Sequence, residues 1–97
     1  MDKKYFVLKL IPGRVDFAQT MTVEEKIIMQ QHVAYWKDNM DKGSVLVFGP
    51  VLDPKGVYGL GIVSAVDEEE INTFIAADPA TAINLYEYYP MRAVVKE

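Results

Sequence analysis

Apolar and polar positions along this chain change period several times, and each change marks an element. In KYFVLKLI, residues 4–11, the side chains alternate, with Phe6, Leu8 and Leu10 on one face and Tyr5, Val7, Lys9 and Ile11 on the other, which predicts a first strand. PGRVDFAQTM, residues 12–21, loses the alternation and reads as an irregular loop carrying Arg14, Phe17 and Met21. Such long connections often serve as lids or binding elements. From Thr22 the period becomes helical. Thr22-Val-Glu-Glu25 fits a capping box, in which hydroxyl and carboxylate each take a backbone amide of the first turn. Met29, Val33, Trp36 and Met40 follow at spacings of four, three and four, a stripe expected to face the core, and Gly43 supplies a left-handed stop.

SVLVFGPV, residues 44–51, and VYGLGIVSAV, residues 57–66, read as two strands joined through the turn Asp53-Pro54-Lys55-Gly56. Asp67 with Glu70 opens a second helix that is expected to run to Ala77, where Asp78-Pro79 ends it and starts a short helical turn. LYEYYPMRAVV, residues 85–95, is the last strand. The order β-α-β-β-α-β predicts an α+β, ferredoxin-like domain over residues 1–97, with an antiparallel sheet in the spatial order 4-1-3-2. Pro50 and Pro90 then fall in the two edge strands, where a missing backbone donor is tolerated.

Two helices can cover only one face of such a sheet, yet most strands are apolar on both. A second copy packed sheet to sheet, the dimeric α+β barrel arrangement, is the expected cover, with pairing at an exposed edge as the alternative.

Composition narrows the function. About half of the residues are hydrophobic, enough for a real core, and the formal net charge is −4 with only two arginines, Arg14 and Arg92. Without a basic cluster to release counterions, nucleic acid is not an expected partner. The absence of cysteine removes disulfides, thiolate nucleophiles and zinc-thiolate sites. The apolar run near the start is short and interrupted by Lys9, and no stretch reaches the roughly 20 apolar residues that span a bilayer, so a soluble, cytoplasmic protein is expected.

The candidate chemistry centres on His32, the only histidine. On the helical wheel it lies beside the Met29–Met40 stripe, at the boundary of core and solvent with Glu25, Ile28, Tyr35 and Asn39. Spacing by itself favours a rim residue that packs its ring. A catalytic role needs a carboxylate on one ring nitrogen, which fixes the tautomer and makes the other a better base. Asp78 is a candidate, although Asp before Pro is also a good helix cap. Asp53 has an equally simple account in its turn. Glu68, Glu69 and Glu70 suit the dipole of a helix start, and no metal is assigned. Gly59 and Gly61 leave one face of the third strand bare at two successive positions, for a helix or a ligand to approach. They do not form a dinucleotide fingerprint, and Ser44 and Ser64 lack a nucleophile-elbow context. Tyr86, Tyr88 and Tyr89 suit core and interface packing, while Arg14 or Arg92 offers a site for a small anion.

Taken together, KYFVLKLIPGR, QQHVAYWKDNMDKG, VFGPVLDPKGVYGLGIV, IAADPA and YEYYPMRAVV resemble the YCII-related (YciI-like) domain proteins over nearly the whole chain. The resemblance implies a dimeric ferredoxin-like domain whose first-helix histidine and Asp-Pro aspartate form a pair at an active site. The matching residues here are His32 and Asp78, and Gly49-Pro50 matches the family's Gly-Pro step.

Two functions are then compatible with the chain. One is a cofactor-independent enzyme acting on a small organic substrate, with His32 as general base and Asp78 orienting it. Arg14, Tyr35, Gly49 and Pro50 would help to bind the substrate. Proton abstraction leading to elimination or isomerisation suits these residues, with water-activated hydrolysis as a further option. The other is a non-catalytic small-molecule-binding or accessory homodimer in which His32 only donates a hydrogen bond.

Overall fold

A computed structural model describes residues 3–96. The outermost positions of the expected 1–97 domain lie outside the described residues. Strand β1 (Lys4–Pro12) is followed by a one-turn helix α1 (Phe17–Thr20), the long helix α2 (Val23–Asp41), the hairpin β2 (Val45–Val51) and β3 (Tyr58–Ala65), helix α3 (Glu68–Ala76), a 3-10 turn (Pro79–Ala82) and β4 (Asn84–Met91). The sheet order is β2-β3-β1-β4 and the paired neighbours are antiparallel, as the element order implied. Pro50 and Pro90 sit on the two edges.

Local signals in the sequence explain most boundaries. Thr22 Oγ1 accepts from the Glu25 amide at 3.1 Å and Glu25 Oε1 accepts from the Thr22 amide at 2.9 Å, so the capping box is complete. Gly43, at φ +94°, supplies the left-handed stop that a side chain would strain. Asp67 caps α3 through the Glu70 amide at 2.9 Å. In the hairpin turn Asp53 accepts from the Lys55 amide at 2.8 Å through its side chain and from the Gly56 amide at 2.9 Å through its carbonyl.

Register decides which side chains are buried. Phe6, Leu8 and Leu10 of β1 pair with Val63, Gly61 and Gly59 of β3 and with Pro90, Tyr88 and Tyr86 of β4, and this face carries the helices. Phe6, Leu8, Trp36, Val45, Val63, Ile71 and Phe74 form the core. The other face presents Val7, Lys9 and Ile11 opposite Ile62 and Leu60 on one side and Tyr89, Glu87 and Leu85 on the other. Leu85 is 72 % exposed and Val47 58 % exposed. No element among the described residues covers these apolar side chains.

Three expectations need correction. The long connection is not wholly irregular: α1 forms within it, because Phe17 is pulled into the core and leaves a helical turn behind it. The last strand ends at Met91 and not at Val95, since Met91 already pairs with Tyr5 and β1 has almost no partner left to offer. The stripe on α2 is the largest miss. Trp36 is buried, but Val33 and Met40 are 38 % and 36 % exposed, whereas His32 is only 8 % exposed. Ile28, Met29, Tyr35 and Asn39 are half-buried around it. At 100° per residue the inward face is turned by roughly 70° from the apolar stripe. His32 lies at its centre, not at its edge.

Candidate active site

Asp78 begins the site. The proline that follows holds it in extended geometry, at φ −77° and ψ 124°, which ends α3 and aims the carboxylate back under α2. Oδ1 accepts the Ala80 amide at 2.9 Å, capping the 3-10 turn. The cap of the turn and the partner of His32 are therefore the same carboxylate. His32 Nδ1 lies 3.0 Å from Oδ1 and 2.8 Å from Oδ2, Trp36 Nε1 donates to Oδ2 at 2.7 Å, and the Tyr86 hydroxyl donates to Oδ2 as well. Trp36 Nε1 also reaches the Tyr86 oxygen at 3.2 Å.

Glycine fixes the indole that makes one of these bonds. A Cβ on Gly61 would stand 2.2 Å from Trp36 Cζ3, so the ring occupies the space that a side chain on β3 would fill. The bare face foreseen at Gly59 and Gly61 is thus used at Gly61 by a helix side chain. Phe48 and Phe74 hold the indole further, with ring centres 5.3 Å and 5.0 Å from it.

The Asp78 carboxyl is 1 % exposed as a residue. Burial is the strongest single influence on it and favours the neutral acid. Hydrogen bonds from His32, Tyr86, the Ala80 amide and Trp36 together outweigh burial, and its pKa falls below the ordinary carboxylate value. Held as the anion, Asp78 can only accept, so Nδ1 must carry the proton it shares. In the neutral ring this leaves a lone pair on Nε2. For Tyr86, burial together with the adjoining carboxylate pushes the phenol far upward, so it stays a donor.

His32 lines a cavity of about 230 Å³ between α2, the sheet and the α1 loop. Its Nε2 has no protein partner, and among the described residues Asn84 Oδ1 is the one fully buried side-chain polar atom left without one. Nε2 accordingly keeps some accessible surface, on a residue that lines the cavity. The walls are apolar: Leu10, Phe17, Met29, Phe48 and Val57 contribute, with no lysine, arginine, aspartate or glutamate among the lining residues.

Gly49 and Pro50 line this cavity, as His32 does. Arg14 does not. Its guanidinium donates to both Glu25 carboxylate oxygens at 3.0 and 2.8 Å and to the Thr20 hydroxyl and carbonyl at 2.8 Å each, which ties the α1 loop to the start of α2. Tyr35 likewise faces away, donating to the Phe74 carbonyl at 2.7 Å and packing on that ring. Trp36 and Tyr86 are the contributors that sequence reasoning assigned to packing alone. The inward parity of Tyr86 on β4, opposite Leu10, was the available signal for the latter.

A YCII-related domain model matches residues 11–94, and the chain belongs to that family. No curated protein matches it. Among solved structures it is similar to the uncharacterized protein TM1266 from Thermotoga maritima, with a TM-score of 0.58 and 8 % identity over 94 % of this chain and all of that one. It is also similar to SnoaB, a cofactor-independent oxygenase from Streptomyces nogalater, with a TM-score of 0.51 and 12 % identity over 99 % of this chain and 97 % of that one. A point mutant of that oxygenase matches equally. At such identities the likeness concerns the fold. No helix among the described residues is long and apolar enough to cross a membrane.

Proposed function

We propose that this YCII-related protein is a cofactor-independent enzyme in which His32 acts as general base on a small organic molecule held in the cavity. One observation carries the reading: a single imidazole is held through Nδ1 by a buried, multiply hydrogen-bonded carboxylate, its Nε2 is left unpartnered, and the residue lines an apolar cavity. Nε2 takes a proton from a substrate carbon or hydroxyl. The electron pair left behind forms a new π bond as a leaving group departs with its own pair, or the proton returns at another atom. Asp78 balances the imidazolium charge during the step. Covalent catalysis suits the cavity less well, since its lining offers no serine, threonine, cysteine, lysine or acid. The similarity to a cofactor-independent oxygenase agrees with a small-molecule role for the fold.

The same reading includes a homodimer through the open sheet face. Lys9 and Glu87 are cross-strand neighbours in the middle of that apolar face, and a two-fold axis would set each against its opposite charge on the second copy. Val7→Glu at its centre is expected to give a folded monomer by sedimentation. An unchanged sedimentation coefficient would remove the sheet face as the interface.

A thermal-shift screen of small metabolites should find a stabilising ligand, because a molecule that binds only the folded state raises its apparent stability. With that ligand as substrate, His32→Ala should lose at least about 10²-fold in turnover. Turnover that survives His32→Ala ends the general-base reading, whereas a ligand that stabilises the native protein and is not turned over leaves the cavity as the binding site of an accessory dimer. Nitrogen NMR of the single imidazole gives a second readout: the Nδ1–H tautomer in the native protein and a mixture in Asp78→Asn.

A further inference from the structure

Asn84 opens β4 and lines the same cavity as His32. It is 8 % exposed, and its Nδ2 donates to the Ala80 carbonyl at 3.2 Å and lies 3.6 Å from Met29 Sδ. The bond to a carbonyl fixes which end of the amide is nitrogen, so the other end is the oxygen. That oxygen, Oδ1, is buried and has no partner. A buried carbonyl left unpaired bears its full desolvation penalty, and leucine at this position would avoid it. The Ala80 carbonyl does not require Asn84 either, since it already accepts the Ile83 amide at 3.1 Å. Packing and capping thus give no account of an asparagine here.

We propose that Asn84 Oδ1 is a second recognition atom of the cavity, accepting a hydrogen bond from the ligand, and that the ligand is a neutral, mostly apolar molecule carrying hydroxyl or N–H donors. The ligand class follows from complementarity. In the neutral form that the proposed general base requires, with Nδ1–H committed to Asp78, His32 presents an acceptor to the cavity, and Asn84 supplies another. An apolar wall with two acceptors and no cationic side chain selects donors and rejects carboxylates and phosphates. The anion anticipated at Arg14 has no cation on this wall, because that guanidinium is committed to Glu25 and Thr20 outside it. Met29, unbranched and with its Sδ 3.6 Å from Asn84 Nδ2 on the cavity wall, is an adaptable side chain that can shift as a ligand reaches the amide.

The inference rests on the cavity being the ligand site proposed above, and the test separates the two. Binding of 2,3-dihydroxynaphthalene, its dimethyl ether and 2-naphthoate to the full-length protein is followed by NMR of the His32 and Trp36 rings. The diol is expected to bind at least tenfold more tightly than the ether, with naphthoate weakest. In Asn84→Leu the diol should fall towards the ether while ether binding is unchanged. Equal binding of diol and ether to the native protein overturns the role of Asn84 and keeps the cavity, and it needs no variant. Preference for naphthoate overturns the ligand class. No ring response to any probe overturns the cavity as ligand site, and with it both readings. Loss of ether binding in a folded Asn84→Leu also overturns the proposal, because it shows a structural effect on the cavity.

Discussion

Two carboxylates in this protein are built alike and sit in different surroundings. Each caps a helical turn and also receives donors from elsewhere: Asp78 takes Ala80 together with His32, Trp36 and Tyr86, while Glu25 takes Thr22 together with Arg14. Both have lowered pKa values. For Glu25 the Arg14 hydrogen bond is the main cause, with the Thr22 amide next, and the value comes to about 2. The difference lies in burial: the Asp78 side chain is 0 % exposed and that of Glu25 is 18 % exposed. Near the surface, water and salt can replace what Arg14 provides. In the interior nothing can replace His32, Trp36 and Tyr86, and removing the acceptor deprives these three and the Ala80 amide of it together.

This contrast orders the expected effects of mutation. Asp78→Ala should be the most damaging, by more than about 3 kcal/mol in urea unfolding, because several buried donors lose their acceptor at about 1–3 kcal/mol each. A loss below about 1 kcal/mol would mean that the cluster contributes no more than an ordinary surface pair. Gly61→Ala comes next, at about 1–3 kcal/mol, because the new methyl displaces the indole. It should also lower Trp36 near-UV circular dichroism, and an unaltered spectrum would show that the ring has other room. Tyr86→Phe removes one donor to a charged acceptor and is expected to be unfavourable by about 1.5–3 kcal/mol.

Glu25→Gln should have the smallest effect and should fade as salt is raised, whereas the Asp78 variants should be insensitive to salt. The pH dependence follows from the sign of the shifts. Both carboxylates are more acidic folded than unfolded, so each stabilises the fold above the unfolded pKa and ceases to do so as pH falls through the folded one. For Glu25 this window runs from 4.5 down to about 2. Acid titration of stability in Glu25→Gln should therefore be flatter between those limits. An acid limb that keeps its full slope in this variant would assign the proton uptake to other groups.

The two clusters also differ in how much of each the sequence reveals. Thr22 and Glu25 are three residues apart and their geometry follows from the helix, so the capping box is legible at once. The order of elements and the edge prolines are equally local and give the topology. The His32–Asp78 contact spans 46 residues; the residues themselves offer Asp78 only as one candidate partner with an equally good role as a cap, and the family resemblance is what puts the two in one site. The reason is visible on α2, where the inward face holds polar His32 and Asn39. Their partners are the Asp78 carboxylate and the Tyr35 carbonyl. A wheel that equates inward with apolar cannot find such a face. Arg14 shows the converse: an arginine in a long loop suggests anion binding, and here the loop itself takes up its donors.

The span of those contacts bears on when the protein becomes competent during synthesis. Donors to Asp78 come from positions 46 and 42 residues before it and 8 residues after it. The last of them belongs to β4, which pairs with β1 at the opposite end of the chain. A nascent chain whose β4 is still inside the ribosome holds the histidine, the indole and the aspartate but lacks the phenol, and so the polar apparatus is completed only once β4 has emerged and paired with β1.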